Sequence, residues 1–157
     1  MTADPTRNYY ETHASEYFRI TYQTDLSPLW MKLRRNLKPN ATILDIGCGS
    51  GRDLRHFAQQ GFRVVGIDYA FHMLQLAQAF SQQPIDLDNI VHLPFKQHTF
   101  DAVWSIGSLL HVHRHVLPAA FAQIHSVLKP DALFFSAMKL GQGEGFDSRG
   151  RFTVFYL

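Results

Sequence analysis

The stretch Ala41-Thr42-Ile43-Leu44-Asp45-Ile46-Gly47-Cys48-Gly49-Ser50-Gly51-Arg52-Asp53 decides the fold, because an apolar run passes into an acidic residue and then into three glycines at alternate positions. Beyond the glycines, Leu54, Phe57 and Ala58 return at helical spacing. A buried parallel strand that turns tightly into a helix has this pattern. Glycine suits such a turn because a side chain would hold a ligand away from the backbone, and because sharp strand-to-helix turns often need positive φ. The stretch reads as a nucleotide-cofactor loop.

The spacing narrows the ligand. A dinucleotide loop needs G-x-G-x-x-G with a pyrophosphate at the helix N-terminus. Here Gly51 comes one residue early and Arg52 stands where the third glycine belongs. The Gly-Lys-Ser/Thr ending of a P-loop is also absent. A second β-rich run, Phe62-Arg63-Val64-Val65-Gly66-Ile67-Asp68, ends in a carboxylate seventeen residues after Gly51, close to the spacing of about 20 for a ribose ligand. A carboxylate at the end of a neighbouring strand accepts both ribose hydroxyls through charge-assisted hydrogen bonds.

Asp45-x-Gly47-x-Gly49-x-Gly51 resembles motif I of the class I S-adenosylmethionine-dependent methyltransferases, whose cofactor carries no phosphate. The resemblance continues through Asp68-Tyr69-Ala70-Phe71-His72-Met73-Leu74-Gln75-Leu76-Ala77, with Ala70 in place of a usual serine. His92-Leu93-Pro94-Phe95 with Phe100-Asp101-Ala102-Val103-Trp104 is similar to the family's Leu-Pro-Phe … Phe-Asp-x-Val-Trp segment, and Ser105-Ile106-Gly107-Ser108-Leu109-Leu110-His111-Val112 to the end of the fourth strand and its loop. Leu128-Lys129-Pro130-Asp131-Ala132-Leu133 resembles Leu-Lys-Pro-Gly-Gly-x-Leu, with Asp131 and Ala132 replacing glycines. The N-terminal tyrosines and the late Gly-Glu-Gly … Gly-Arg-Phe resemble small bacterial methyltransferases acting on small molecules.

The resemblance implies an α/β fold, a Rossmann-like parallel sheet covered by helices on both faces, binding S-adenosyl-L-methionine and methylating a small-molecule acceptor. Asp45 and the loop of Gly47, Gly49 and Gly51 would hold the methionine end, with a carbonyl near Ser105 or Ile106 accepting from its ammonium. Asp68 would hold the ribose, Tyr69 and Met73 follow it in the matching helix, and Asp88 or Asn89 with Ile90 would hold the adenine. Tyr9, Tyr10 and Tyr17 would close over the sulfonium, since aromatic faces attract cations. His111 is the candidate base, an imidazole that titrates near working pH. Two other readings stay open, a nicotinamide-dependent oxidoreductase and a cofactor-binding but inactive or truncated member of the fold.

At 157 residues the chain suits one domain. Residues 1–40 read as an N-terminal helical cap, 41–138 as the cofactor-binding core and 139–157 as a glycine-rich loop, resembling an active-site cover, and a terminal strand. Strands are predicted near 41–46, 62–67, 85–87, 100–105 and 132–138, alternating with helices near 51–60, 70–81 and 115–128. A net charge of +2 without a basic run argues against a nucleic-acid partner. One cysteine and no apolar span or signal-like start argue for a cytoplasmic protein without membrane attachment. Cys48 reads as a small buried residue in a turn, and His111-Val112-His113-Arg114-His115 as structural or solvated histidines, because Arg114 is unfavourable beside a metal. Family members continue past Leu157 into further strands, so the strand near Ala132–Met138 is expected to expose an apolar edge. Phe152–Leu157 is expected to cover that edge, in the same chain or in a homodimer.

Overall fold

The computed structural model describes residues 4–155. Three short helices open the chain, α1 (Pro5–Thr12), α2 (Ala14–Thr21) and α3 (Ser27–Arg34). The core follows as β1 (Thr42–Ile46), α4 (Arg52–Gln59), β2 (Arg63–Asp68), α5 (Phe71–Ser81), β3 (Ile85–Leu87), β4 (Phe100–Ile106), α6 (Leu117–Val127) and β5 (Leu128–Ala137). β6 (Glu144–Phe146) and β7 (Phe152–Val154) complete the described chain. β1 to β5 form one sheet in the order β3-β2-β1-β4-β5, and every pairing is parallel.

The strands are apolar on both faces because both are covered. Ile43 and Trp104 project to one side, where they meet Leu54 and Phe57 of α4, Leu74 and Ala77 of α5 and Leu33 of α3. Leu44, Ile46 and Val103 project to the other, against Leu117, Ala120, Ile124 and Val127 of α6. Burying a side chain such as Phe57 or Trp104, both within 1% of full burial, stabilises the fold by roughly 1.5–3 kcal/mol. Among the described residues no helix is long and apolar enough to cross a membrane.

Two elements depart from expectation. β5 begins at Leu128 and not near 132, because Lys129, Pro130 and Asp131 run on from α6 with a register shift between Phe100 and Ala102. Asp131 takes φ +61 there, the left-handed conformation that glycine normally fills and that aspartate tolerates better than most residues. The segment from Phe152 pairs antiparallel with Glu144–Phe146, inside the stretch expected to be loop. Within the chain it therefore does not cover the outer edge of β5; Tyr156 and Leu157 lie outside the described residues.

The alanine at the start of α5 finds a substitute for the missing serine. Ala70 offers no capping side chain, and the carboxylate of Glu11 in α1 accepts from the N–H groups of Phe71 (2.7 Å) and His72 (2.9 Å) instead. A carboxylate at a helix N-terminus satisfies orphan donors and opposes the helix dipole. The cap thus fastens the N-terminal helices to the core.

Candidate functional site

In the order β3-β2-β1-β4-β5 the connections reverse direction between β1 and β4, and ligands of open α/β sheets sit beyond the strand ends at such a point. A cavity of about 250 Å³ opens there. Gly47 and Gly49 after β1, Asp68 and Tyr69 after β2, Asp88, Asn89 and Ile90 after β3, and Ile106 with His111 at and after β4 all line it. Tyr10 from α1, Tyr17 from α2 and Met73 from α5 complete the sequence-predicted residues on the wall.

In the loop after β1, contacts leave no room for a side chain at Gly47 or Gly51, while Gly49 has room. A Cβ on Gly47 would overlap the Ser108 hydroxyl, so the loops after β1 and β4 touch. Gly49, at φ +55, faces open space, with a ring carbon of Tyr17 at 3.7 Å from where its Cβ would lie. Gly51 differs, because its Cβ would lie 2.8 Å from the Ala77 carbonyl oxygen, so it packs α4 on α5 and does not reach the cavity.

Asp68 holds this loop to the sheet. One carboxylate oxygen accepts from Gly49 N–H at 3.0 Å and the other from Ala70 N–H at 3.0 Å. Burial pushes its pKa from the ordinary 3.8 up to about 6 against those hydrogen bonds. Each oxygen keeps acceptor capacity for a ligand.

At the other end of the cavity a buried polar chain runs from His111 outward. His111 Nδ1 lies 2.6 Å from the Phe152 carbonyl oxygen and Nε2 lies 3.0 Å from the Tyr10 hydroxyl. Arg151 donates to that hydroxyl at 2.9 Å and holds the Asp147 carboxylate through two further bonds of 3.0 and 2.7 Å. Phe152 N–H donates to Thr6 Oγ1 at 2.8 Å. α1, the turn after β4 and the β6–β7 hairpin are thereby joined, and of the linked residues Tyr10 and His111 line the cavity. Burial lowers the His111 pKa, and Arg151 adds to that effect.

Three predicted residues besides Gly51 stand off the wall, Tyr9, Asp45 and Ser105. Asp45 is buried behind the loop, where one of its oxygens has no hydrogen-bond partner and burial beside Asp53 drives its pKa well up. Ser105 is fully buried at the register position of Ser136, and neither hydroxyl oxygen finds a partner. Cys48 is buried too, and burial pushes its thiol pKa up, away from nucleophilic chemistry.

The sequence reading missed Asp4, Ser108, Val112, His113 and Val116 on the wall. Ser108 was legible as the residue after Gly107, the glycine that follows β4. Asp4 is a helix cap in sequence terms, accepting from Thr6 and Arg7 N–H, and carried no signal of a site. Among the described residues, the wall bears three carboxylates, Asp4, Asp68 and Asp88, and no lysine or arginine. A cationic ligand suits that wall and a pyrophosphate does not.

Residues 43–131 match the family model described as methyltransferase domain. The chain is similar to MJ1252 of Methanocaldococcus jannaschii, an uncharacterized protein, with 29% identity over 129 residues that cover 82% of this chain and 46% of the relative. It is also similar to the probable tRNA methyltransferase 9B of Bos taurus, with 34% identity over 63% of this chain and 22% of that protein. Among solved structures, Burkholderia thailandensis 1,6-didemethyltoxoflavin-N1-methyltransferase, with S-adenosylhomocysteine bound, aligns over 99% of this chain and 74% of its own at a TM-score of 0.76 and 23% identity. The chain spans less than half the length of these two curated relatives.

Proposed function

The chain belongs to the class I S-adenosylmethionine-dependent methyltransferase family, and we propose that it transfers the methyl group of S-adenosylmethionine to a small-molecule acceptor. The observation that carries this reading is the cavity wall, with Asp4, Asp68 and Asp88 and no basic side chain but histidine. A sulfonium cofactor with an ammonium group fits an acidic wall, and the space beside Gly49 leaves the backbone open to it. The cofactor supplies a methyl already activated for in-line displacement, so the protein's task is positioning and exclusion of water. Asp68 takes the ribose hydroxyls, and the Asp88 and Asn89 side chains supply the acceptor for the adenine amino group. Tyr10 and Tyr17, their rings 5.1 Å apart edge to face, present aromatic surface to the cation.

The small-molecule acceptor is inferred from the aromatic side of the cavity, walled by Tyr10, Tyr17, His111 and His113. A relative named for tRNA removes any family-level ground for excluding a nucleic acid, so the mild net charge of +2 is no longer decisive. Calorimetric titration with S-adenosylhomocysteine tests the cofactor reading. Binding one-to-one is expected, and Asp68→Ala should cost about 2–3 kcal/mol of affinity, the scale of lost charge-assisted bonds. A change below a few-fold in Kd would move the ribose elsewhere.

The raised pKa of Asp68 gives a pH signature. The folded protein holds this proton between the unfolded value near 3.8 and about 6, so without ligand Asp68 makes stability fall as pH rises through that window. Ribose hydroxyls donate to the carboxylate and favour its ionised form. Thermal protection by S-adenosylhomocysteine should therefore grow from about pH 5 to about pH 7, and Asp68→Asn should remove that growth.

A further inference from the structure

We propose that the acceptor is a small aromatic hydroxyl compound and that its proton leaves through the Tyr10 hydroxyl to Nε2 of His111, with Tyr10 as the catalytic residue in contact with the acceptor. This rests on the methyltransferase reading and replaces His111 as the direct base. Both ring nitrogens of His111 are already engaged. The Phe152 carbonyl carries no proton, so Nδ1 must donate to it, and Nε2 is left with a lone pair that only the Tyr10 O–H can fill. Arg151 has no acceptor atom, so it donates to the Tyr10 oxygen. Every proton in the chain is thereby fixed in direction, from Arg151 to Tyr10 to His111 to Phe152.

The Tyr10 oxygen has one further lone pair, within reach of the Tyr17 side chain, its hydrogen-bonding neighbour, and an acceptor hydroxyl takes that place where Tyr10 lines the cavity beside His111. An acceptor hydroxyl that donates to it can pass its proton on as Tyr10 passes its own to His111 Nε2. The acceptor's freed lone pair forms the bond to the methyl carbon as the carbon–sulfur bond breaks, its electron pair going to sulfur to leave a neutral thioether, and the imidazolium later loses its proton to solvent. The walls at this end are flat or apolar: Tyr17, Val112, Val116 and His113, whose ring lies 3.7 Å from that of Phe152. Arg151 is held by Asp147 and Tyr10 and does not line the cavity to select an anion. The charged groups around His111 are Arg151 and Asp147 of the hairpin and Lys139 after β5; with burial, they leave its pKa below the ordinary value, so the base is neutral at working pH.

The test follows methyl transfer from S-adenosylmethionine to two probes at about pH 8. One is 4-methylphenol, which titrates as tyrosine does near about pH 10; the other is 4-nitrophenol, which arrives largely ionised. Tyr10→Phe and His111→Gln should each lower kcat on 4-methylphenol on the order of 10²-fold, with the loss shrinking to a few-fold on 4-nitrophenol. In the wild-type protein a solvent deuterium isotope effect on 4-methylphenol, absent on 4-nitrophenol, reads the same relay without a variant. Equal losses on both probes with no such isotope effect would overturn the relay. Failure to methylate either probe, in protein that binds S-adenosylhomocysteine, would overturn the acceptor class while leaving the cofactor reading intact.

Discussion

Gly49→Val should weaken S-adenosylhomocysteine binding by at least about 100-fold while leaving the protein folded. At φ +55 a Cβ on residue 49 meets nothing closer than Tyr17 at 3.7 Å, so the backbone strain of a β-branched residue, about 1–2 kcal/mol, is the main cost to the fold. The branched methyl groups, however, enter the space between the loop and Tyr17 that a bound ligand must occupy. Gly51→Val should behave in the opposite sense, because its side chain drives into the backbone of Ala77 in α5 and destabilises the packing of two helices. Calorimetry with circular dichroism separates the two. Unchanged affinity in a folded Gly49→Val variant would take the ligand away from this loop.

The contrast between those glycines marks how far the sequence was legible. Alternation of strand and helix, and the positions of β1, β2, β3 and β4 within a residue or so, followed from apolar runs ending in Gly or Asp, which are local signals. The cavity residues Gly47, Gly49, Asp68, Ile90 and Ile106 lay at strand ends, where position along the strand fixes nearness to the crevice. Asp45 and Ser105 lay at strand ends as well, but residues alternate in facing, and each is turned into a core layer. Long-range pairings had no local signal at all. Glu11 capping α5 across sixty residues and Arg151 reaching Tyr10 across 141 depend on how helices and hairpin fold back over the sheet. The strand from Phe152 was recognised by its β-branched and aromatic composition, yet its partner was misassigned, because a short edge strand pairs with what the preceding turn delivers.

Asp53 anchors a network that the sequence concealed, and Asp53→Ala should cost about 3–5 kcal/mol of folding stability, the scale of breaking a buried charge network. Next to Arg52 at the start of α4, it reads as an ordinary acidic residue in a helix first turn. In the fold it is 5% exposed. One oxygen accepts from Trp30 Nε1 at 2.9 Å and Arg52 Nε at 2.8 Å, the other from Trp104 Nε1 at 2.9 Å and Arg52 Nη2 at 2.9 Å. Trp30 belongs to α3 and Trp104 to the centre of the sheet, where it stacks on Phe135 at 4.7 Å. One carboxylate thus ties the N-terminal helices, α4 and the sheet together directly beneath the glycine loop. Removing it strands two indole N–H groups and a partly buried guanidinium, and each unsatisfied donor costs about 1–3 kcal/mol. Asparagine is no rescue, because its single acceptor oxygen cannot serve both indoles and its amide donors face other donors. Urea denaturation of Asp53→Ala and Asp53→Asn measures the effect. A loss below about 1 kcal/mol in both would mean that water replaces the carboxylate and that the network positions the loop without stabilising the fold.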